Sequence, residues 1–255
     1  MRKLSEFSLK TRFKDRFINT FLQIPILWKY LINYDQDLKK ISNPFYRVIK
    51  KILLKFLWFW PRLHDAIEWK EGKIGGNRDP NHFITISKSE HLLVDQVIER
   101  AVSNKDIILD LGCNSGRFLN DLHSKGYKNL HGVDISQASF DNMKNIFPEL
   151  CKDVEVSCAT FQQFLENSPD NSIDILFSRG ATVELVHPSF PLISHICRIT
   201  RRTVVFMINE TGHSYPRFWE WEFNKYNFFL TKVERPIDTG GKGVSLMVFQ
   251  GDKIQ

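Results

Sequence analysis

The run IILDLGCNSGRFLNDL at Ile107–Leu122 constrains this chain more than any other stretch. A near-continuous apolar segment stops at Gly112, and a second apolar pattern, at helical spacing, starts just after Gly116. The first suits a strand covered on both faces and the second a helix packed on it. Gly112 lets the backbone turn sharply, and Gly116 lets a ligand or the helix approach the chain closely. Asn114 stands near the place of the middle glycine of a GxGxxG pattern. Asparagine tolerates positive φ better than most residues.

Two acids give this turn a chemistry. Asp110 ends the strand, where a carboxylate repels a diphosphate and suits a cationic amino-acid tail. HGVDIS places Asp134 at the end of the next strand, 24 residues on. That is where a carboxylate grips both hydroxyls of a ribose. The pair fits an adenosine carrying a methionine rather than a dinucleotide.

The same unit recurs downstream. Strands are expected at Ile107–Leu111, Leu130–Ile135, Val154–Ala159, Ile173–Ser178, Thr203–Asn209, Phe228–Glu234 and Ser245–Gln250. Helical stretches such as Gly116–Lys125 and Gln137–Phe147 separate the first five. Repeated strand–helix units imply right-handed crossovers and a doubly wound α/β sheet. ERPIDTGGKG has no helical pattern, so the last two strands read as an antiparallel hairpin closing one edge. Three regions follow from the pattern. Residues 1–73 form a basic amphipathic helical extension, 74–89 a linker or cofactor lid, and 90–255 the sheet domain.

From about Ile107 to Val248 the chain resembles the class I S-adenosylmethionine-dependent methyltransferases. DLGCNSGRF is similar to the family's first motif, Asp134 to its ribose-binding acid, and VEVSCATFQQF to the third-strand motif beside the adenine. SIDILFSRGATVELVHPS is similar to the fourth strand and its loop. The resemblance implies a Rossmann-like, seven-stranded, mostly parallel sheet with an antiparallel last strand, and S-adenosyl-L-methionine as cofactor. It implies cofactor contacts at Asp110, Gly112, Asn114, Gly116, Asp134, Ile135, Ala159, Thr160 and Ser178. Cys158 stands where the family often has an adenine-binding Asp, which leaves adenine to backbone groups near Ala159, Thr160 and Phe161. FSRGA lacks the NPPY-type sequence of amino-methylating nucleic-acid enzymes, and no Pro-Cys nucleophile occurs. Both absences argue against a base-modifying enzyme.

Methyl transfer from a sulfonium has a good leaving group, so positioning dominates and a hydroxyl acceptor gains from a base. His187 in ELVHPS is the first candidate base and Glu184 the second; the plain alternatives are a loop histidine that packs or caps, and a solvated surface acid or helix-start residue. Arg179 could bind an anionic acceptor or form an ordinary ion pair. INETGHSYPRFWEW brings Glu210, His213, Tyr215, Arg217, Trp219 and Trp221 to the same end of the sheet, as a pocket wall or a lid packed on the core. His213, Tyr215 and Trp219 are the expected acceptor contacts there, with Arg179. In GGNRDPNHF, Arg78, Asp79 or His82 could face the cofactor.

The net charge of +6 is unevenly placed. Residues 1–73 hold 16 basic and 7 acidic residues, so +9, and the remainder is −3. Phe45, Val48, Ile49, Ile52, Leu53, Phe56, Leu57 and Trp60 recur at steps of three and four, a single apolar stripe. Arg47, Lys50, Lys51 and Lys55 lie largely off it. Such a helix lies on an anionic membrane, or else caps the core or a dimer. Neither this stretch nor FLQIPILWKYLI is long and apolar enough for a span. The four cysteines form no CxxC pair and MRKLSEFSLK has no signal-peptide core, which reads as a cytoplasmic protein, peripheral on the membrane where the helix docks. The expected activity is methylation of a small molecule or glycan at oxygen. Nucleic acid is the less expected partner, because the basic residues are mixed with apolar ones. RNA or protein methylation and non-catalytic cofactor binding are the alternatives.

Overall fold

The computed structural model describes residues 80–180, 183–186, 190–209, 217, 219–237 and 244–252, together with 45, 48, 49 and 52. Seven strands form one sheet: β1 (Ile108–Leu111), β2 (Leu130–Asp134), β3 (Glu155–Cys158), β4 (Ile173–Arg179), β5 (Thr200–Asn209), β6 (Phe228–Ile237) and β7 (Val244–Gly251). Their order is β3-β2-β1-β4-β5-β7-β6. β1 to β5 pair in parallel, while β7 runs antiparallel between β5 and β6. The expected mostly parallel seven-stranded sheet with a terminal hairpin is therefore present.

The helices are α1 (His91–Arg100), α2 (Arg117–Ser124), α3 (Gln137–Ile146), α4 (Leu150–Asp153), α5 (Phe161–Asn167), α6 (Leu192–Ile199) and α7 (Trp219–Asn224). Short 3-10 turns lie at Pro80–Phe83 and Val183–Leu185. Alternate strand residues point to opposite faces, and the core divides accordingly. Leu109, Leu111, Leu176, Phe206 and Phe249 pack with α6 and α7 through Ile196, Trp219 and Phe223. Ile108, Ile175, Phe177, Val205 and Val248 pack on the other face with Leu93, Val97, Leu119 and Leu122 of α1 and α2. β1 is buried throughout, which is why it reads as an unbroken apolar run.

Strand edges differ from expectation by a few residues. β5 begins three residues early, because α6 hands over to it directly at Thr200. There Arg201 and Arg202 are held by Asp174 and Asp106, and Asp174 also accepts from the Ile107 amide at 2.9 Å. These ion pairs fasten the end of the sheet opposite the crevice. Strand order reverses between β1 and β4, so their carboxyl ends open the crevice where doubly wound sheets bind ligands.

Most of the extension, residues 1–73, lies outside the described residues. Phe45, Val48, Ile49 and Ile52 are helical, as their spacing predicts, and Phe45, Val48 and Ile52 are exposed at 72%, 52% and 60%. Among the described residues no helix is long and apolar enough to cross a membrane.

Candidate cofactor and acceptor site

The turn after β1 is built by backbone conformations that few residues tolerate. Gly112, Asn114 and Gly116 all have positive φ, at 94°, 48° and 76°. At Gly116 the φ of 76° favours glycine, and an added Cβ would also stand 2.6 Å from Met143 Cε of α3, so that side chain would have to shift. Asn114 adopts the left-handed region as its position predicts, and its Oδ1 accepts from the Ser115 amide at 2.8 Å. Asp134 fixes the turn from the neighbouring strand. Its Oδ2 accepts from the Asn114 amide and its Oδ1 from the Ser136 amide, both at 2.9 Å. Burial raises the Asp134 carboxyl above the ordinary range, and these amides oppose the rise without cancelling it. Each oxygen keeps an acceptor site beyond the amide it holds.

Asp110 is different. It is 1% exposed, and neither carboxylate oxygen has a hydrogen-bond partner among the described residues. Burial pushes its carboxyl well above the ordinary range; the nearby Arg117 charge opposes this and Asp134 adds to it. A buried carboxylate with no donor is costly. It fits a cationic group brought by a ligand.

A second cluster adjoins it. Glu90 Oε1 accepts from Arg117 Nη2 and from Arg179 Nε, both at 2.9 Å, while Oε2 accepts from the Ser87 amide and hydroxyl. Arg117 also donates to the Thr85 carbonyl, and its guanidinium lies 4.6 Å from the Phe118 ring centre. Burial raises the Glu90 carboxyl, but Arg117, the Ser87 amide, Arg179 and the Ser87 hydroxyl together outweigh it and leave it below its ordinary value. Arg179 thus forms an ion pair, as one of its two readings expects, although with a partner nearly buried. Sequence reasoning missed Glu90. Ser87-Lys88-Ser89-Glu90 ahead of an apolar run is a helix-start signature, but nothing in it points across 89 residues to Arg179.

Ser115 Oγ donates to the Pro80 carbonyl at 3.2 Å, which sets the 3-10 turn Pro80–Phe83 against the turn after β1. His82 is described and exposed there, whereas Arg78 and Asp79 lie outside the described residues.

Residues 108–203 match the family model of the methyltransferase domain. Residues 108–203 therefore carry a methyltransferase domain. A methyltransferase domain implies S-adenosyl-L-methionine as cofactor. No curated protein matches the sequence. Similar solved structures include the magnesium protoporphyrin IX methyltransferase of Synechocystis with bound SAH (12% identity, 95% of this chain and 99% of that one, TM-score 0.51). A SAM-dependent methyltransferase of Aquifex aeolicus aligns at 16% identity over 68% and 98% of the two chains, TM-score 0.50. A candidate RNA methyltransferase of Pyrococcus horikoshii aligns at 16% identity over 80% and 98%, TM-score 0.50. At these identities the likeness is one of fold.

In this methyltransferase several expected contacts are spent on the protein itself. Ser178 is fully buried and donates to the Leu111 carbonyl at 2.7 Å, which braces the end of β1. Ala159 N donates to the Asp134 carbonyl at 3.0 Å. Thr160 caps α5, its amide and hydroxyl both engaged with Gln163. The backbone donors expected to read adenine at Ala159 and Thr160 are therefore already paired. Ile135 is half-buried and Cys158 exposed beside them, with Cys158 Sγ 3.7 Å from the Ile135 carbonyl.

On the acceptor side, His187, Glu210, His213 and Tyr215 lie outside the described residues. Glu184 is 1% exposed within the turn Val183–Leu185, so it is not the solvated acid its plain alternative supposed. Trp219 corrects the expected pocket wall. It is 1% exposed, with its ring edge-on to Phe206 at 5.6 Å, and so belongs to the core. Arg217 is the anchor of this region. Buried at 3% exposure, it donates Nη2 to the Val186 carbonyl at 3.0 Å and Nη1 to Glu222 at 3.3 Å. It ties the segment after β5 to the loop after β4, one residue before His187.

Replacing Glu90 by Gln leaves two guanidinium groups facing each other in a nearly buried site. Urea unfolding at pH 7 is expected to show a loss of about 3 kcal/mol. Because the Glu90 carboxyl titrates below its ordinary value, its stabilisation is complete above about pH 4.3. It disappears as pH falls through the lowered native value, so the native–variant difference should shrink on the acid side only.

Proposed function

We propose that the turn after β1 holds the methionine and ribose of S-adenosylmethionine and presents the methyl group to a hydroxyl of a small molecule or glycan. The observation that carries the cofactor half is the orphaned Asp110 carboxylate, which suits the methionine ammonium. Asp134 would take the ribose hydroxyls on the acceptor sites its two amide bonds leave open. Gly112, Asn114 and Gly116 would bring backbone against the methionine. Ile135 and Cys158 would flank the adenine, with apolar contact replacing the paired amides of Ala159 and Thr160. Residues 80–89 would close over this side as the inner part of a 74–89 lid on the 90–255 domain.

When bound, the cofactor supplies an electrophilic methyl carbon on a positively charged sulfur. The chain's task is then to align an acceptor oxygen with that carbon and to remove its proton as the new carbon–oxygen bond forms. His187 is the proposed base, and the Arg217–Val186 bond holds the residue before it in sequence. Glu184, being buried, would support the loop rather than meet solvent. His213 and Tyr215 remain the proposed acceptor contacts from the segment after β5, with the Arg217–Trp219 end as its buried root.

The 1–73 extension would place this site beside an anionic membrane. The exposure of Phe45, Val48 and Ile52 on one helical face, amid a segment of charge +9, supports that reading. RNA is the second reading for the acceptor, favoured by the same charge and by the Pyrococcus horikoshii neighbour.

Three measurements check these readings. Asp110→Asn should weaken S-adenosylmethionine binding at least about tenfold by calorimetry. It should also stabilise the ligand-free protein at pH 8. A carboxyl raised in the native state gives its greatest stability below about pH 3.9 and loses it as pH climbs through the raised value. Asparagine escapes that loss. Methyl-labelled cofactor incubated with fractionated cell extract should label the small-molecule or glycan fraction. His187→Ala should abolish most of that labelling between pH 6 and 9; full labelling by the variant rules out His187 as base, and label in the RNA fraction replaces the first acceptor reading by the second. The full chain should sediment with anionic but not zwitterionic liposomes at low salt, and Lys50→Glu with Lys51→Glu should release it.

A further inference from the structure

Four charged side chains line one face of the sheet at the mouth of the crevice, in alternating sign: Asp110, Arg117, Glu90 and Arg179. The interior members are satisfied. Arg117 bonds Glu90 and the Thr85 carbonyl, and Glu90 bonds Arg117, Arg179 and Ser87. The two ends are not. Asp110 has no donor on either oxygen. Arg179 is bonded through Nε alone, and neither of its terminal amino groups meets an acceptor among the described residues. The row therefore begins with an unpaired negative group and ends with half of a guanidinium fork unused.

The sheet brings these ends together. Asp110 alternates with Ile108, and Arg179 with Ile175 and Phe177, on the face packed by α1 and α2. Asp110 is in register with Phe177 on the adjacent strand, so Arg179 lies two residues further along. From strand spacing and rise, the two Cα atoms stand about 8 Å apart. An α-amino acid carries its ammonium and carboxylate on one carbon, and side chains of these lengths can meet both groups from such positions.

We propose that Arg179 is a carboxylate-binding residue, held in place by Glu90, which captures the carboxylate of the cofactor's methionine while Asp110 takes the ammonium. This rests on the reading that the turn after β1 holds S-adenosylmethionine. Glu90 acts as a positioning residue. It pairs with Arg117 as well as Arg179, and its bond to Nε leaves the Nη1 and Nη2 pair of Arg179 to engage a carboxylate. An acidic group on the acceptor is the other source of the same chemistry, and the test separates the two.

The test compares S-adenosylmethionine, its decarboxylated form and 5′-methylthioadenosine by titration calorimetry on the full chain. The native protein should bind the decarboxylated form about 10- to 100-fold more weakly than S-adenosylmethionine. Arg179→Met should reduce S-adenosylmethionine affinity to that same level, while leaving decarboxylated cofactor and 5′-methylthioadenosine unchanged. Arg179→Lys, which keeps the charge without the fork, should fall between, and it carries the test should the Met variant fail to fold. Equal native affinity for S-adenosylmethionine and its decarboxylated form overturns the proposal and leaves an acidic acceptor as the partner of Arg179. An equal loss of all three ligands in Arg179→Met overturns it in favour of a folding role. Failure of the native protein to bind any of them overturns the cofactor assignment of the turn as well.

Discussion

The end of β1 carries a carboxylate that the fold buries and leaves unanswered, and much of the surrounding architecture manages that cost. Removing an ion from water without a partner is expensive, and proteins usually either pair it or neutralise it. Here Arg117 reduces the penalty from one side without bonding Asp110, while Asp134 increases it from the other. The arrangement makes physical sense when a cationic ligand completes the site. Stability of the ligand-free protein is then exchanged for affinity at one atom, the commonest place for a chain to break its own packing rules.

Around that carboxylate the structure separates shaping from contacting. Asp134 shapes the turn through two backbone amides, Ser178 braces it through the Leu111 carbonyl, and Ser115 joins it to Pro80. Arg217 does the equivalent work on the acceptor side, holding the loops after β4 and β5 together from a buried position. Groups spent in this way leave fewer candidates for ligand contact than motif matching suggests. At the adenine end the amides of Ala159 and Thr160 are consumed by the strand and by a helix cap.

Some of this was plain in the residues. β1, β4 and β5 read as strands because both of their faces are covered, which forces continuous apolar runs. Gly112, Asn114 and Gly116 announced the turn because positive φ admits few other residues. Asp110 and Asp134 were legible because each stands at the carboxyl end of a strand. Trp219 was not. An aromatic beside polar residues looks like a pocket wall, and only the packing of α7 against Phe206 places it in the core. Glu90 was legible as a helix start and illegible as the hub of two arginines, since its partners come from α2 and β4.

The sequence alone determined the strand–turn–helix alternation, the conformations of the turn and the identity of the cofactor, because each depends on residues close along the chain. Tertiary structure decided which polar groups remain available. Parallel strands are joined by long crossovers, so Asp110 and Arg179 become neighbours on one face only after β4 docks beside β1. Hydrogen bonds formed as the elements pack occupy Ser178 and Arg117 but leave Asp110 bare among the described residues. No local pattern encodes this, because a group's availability depends on every donor and acceptor the fold brings within reach of it.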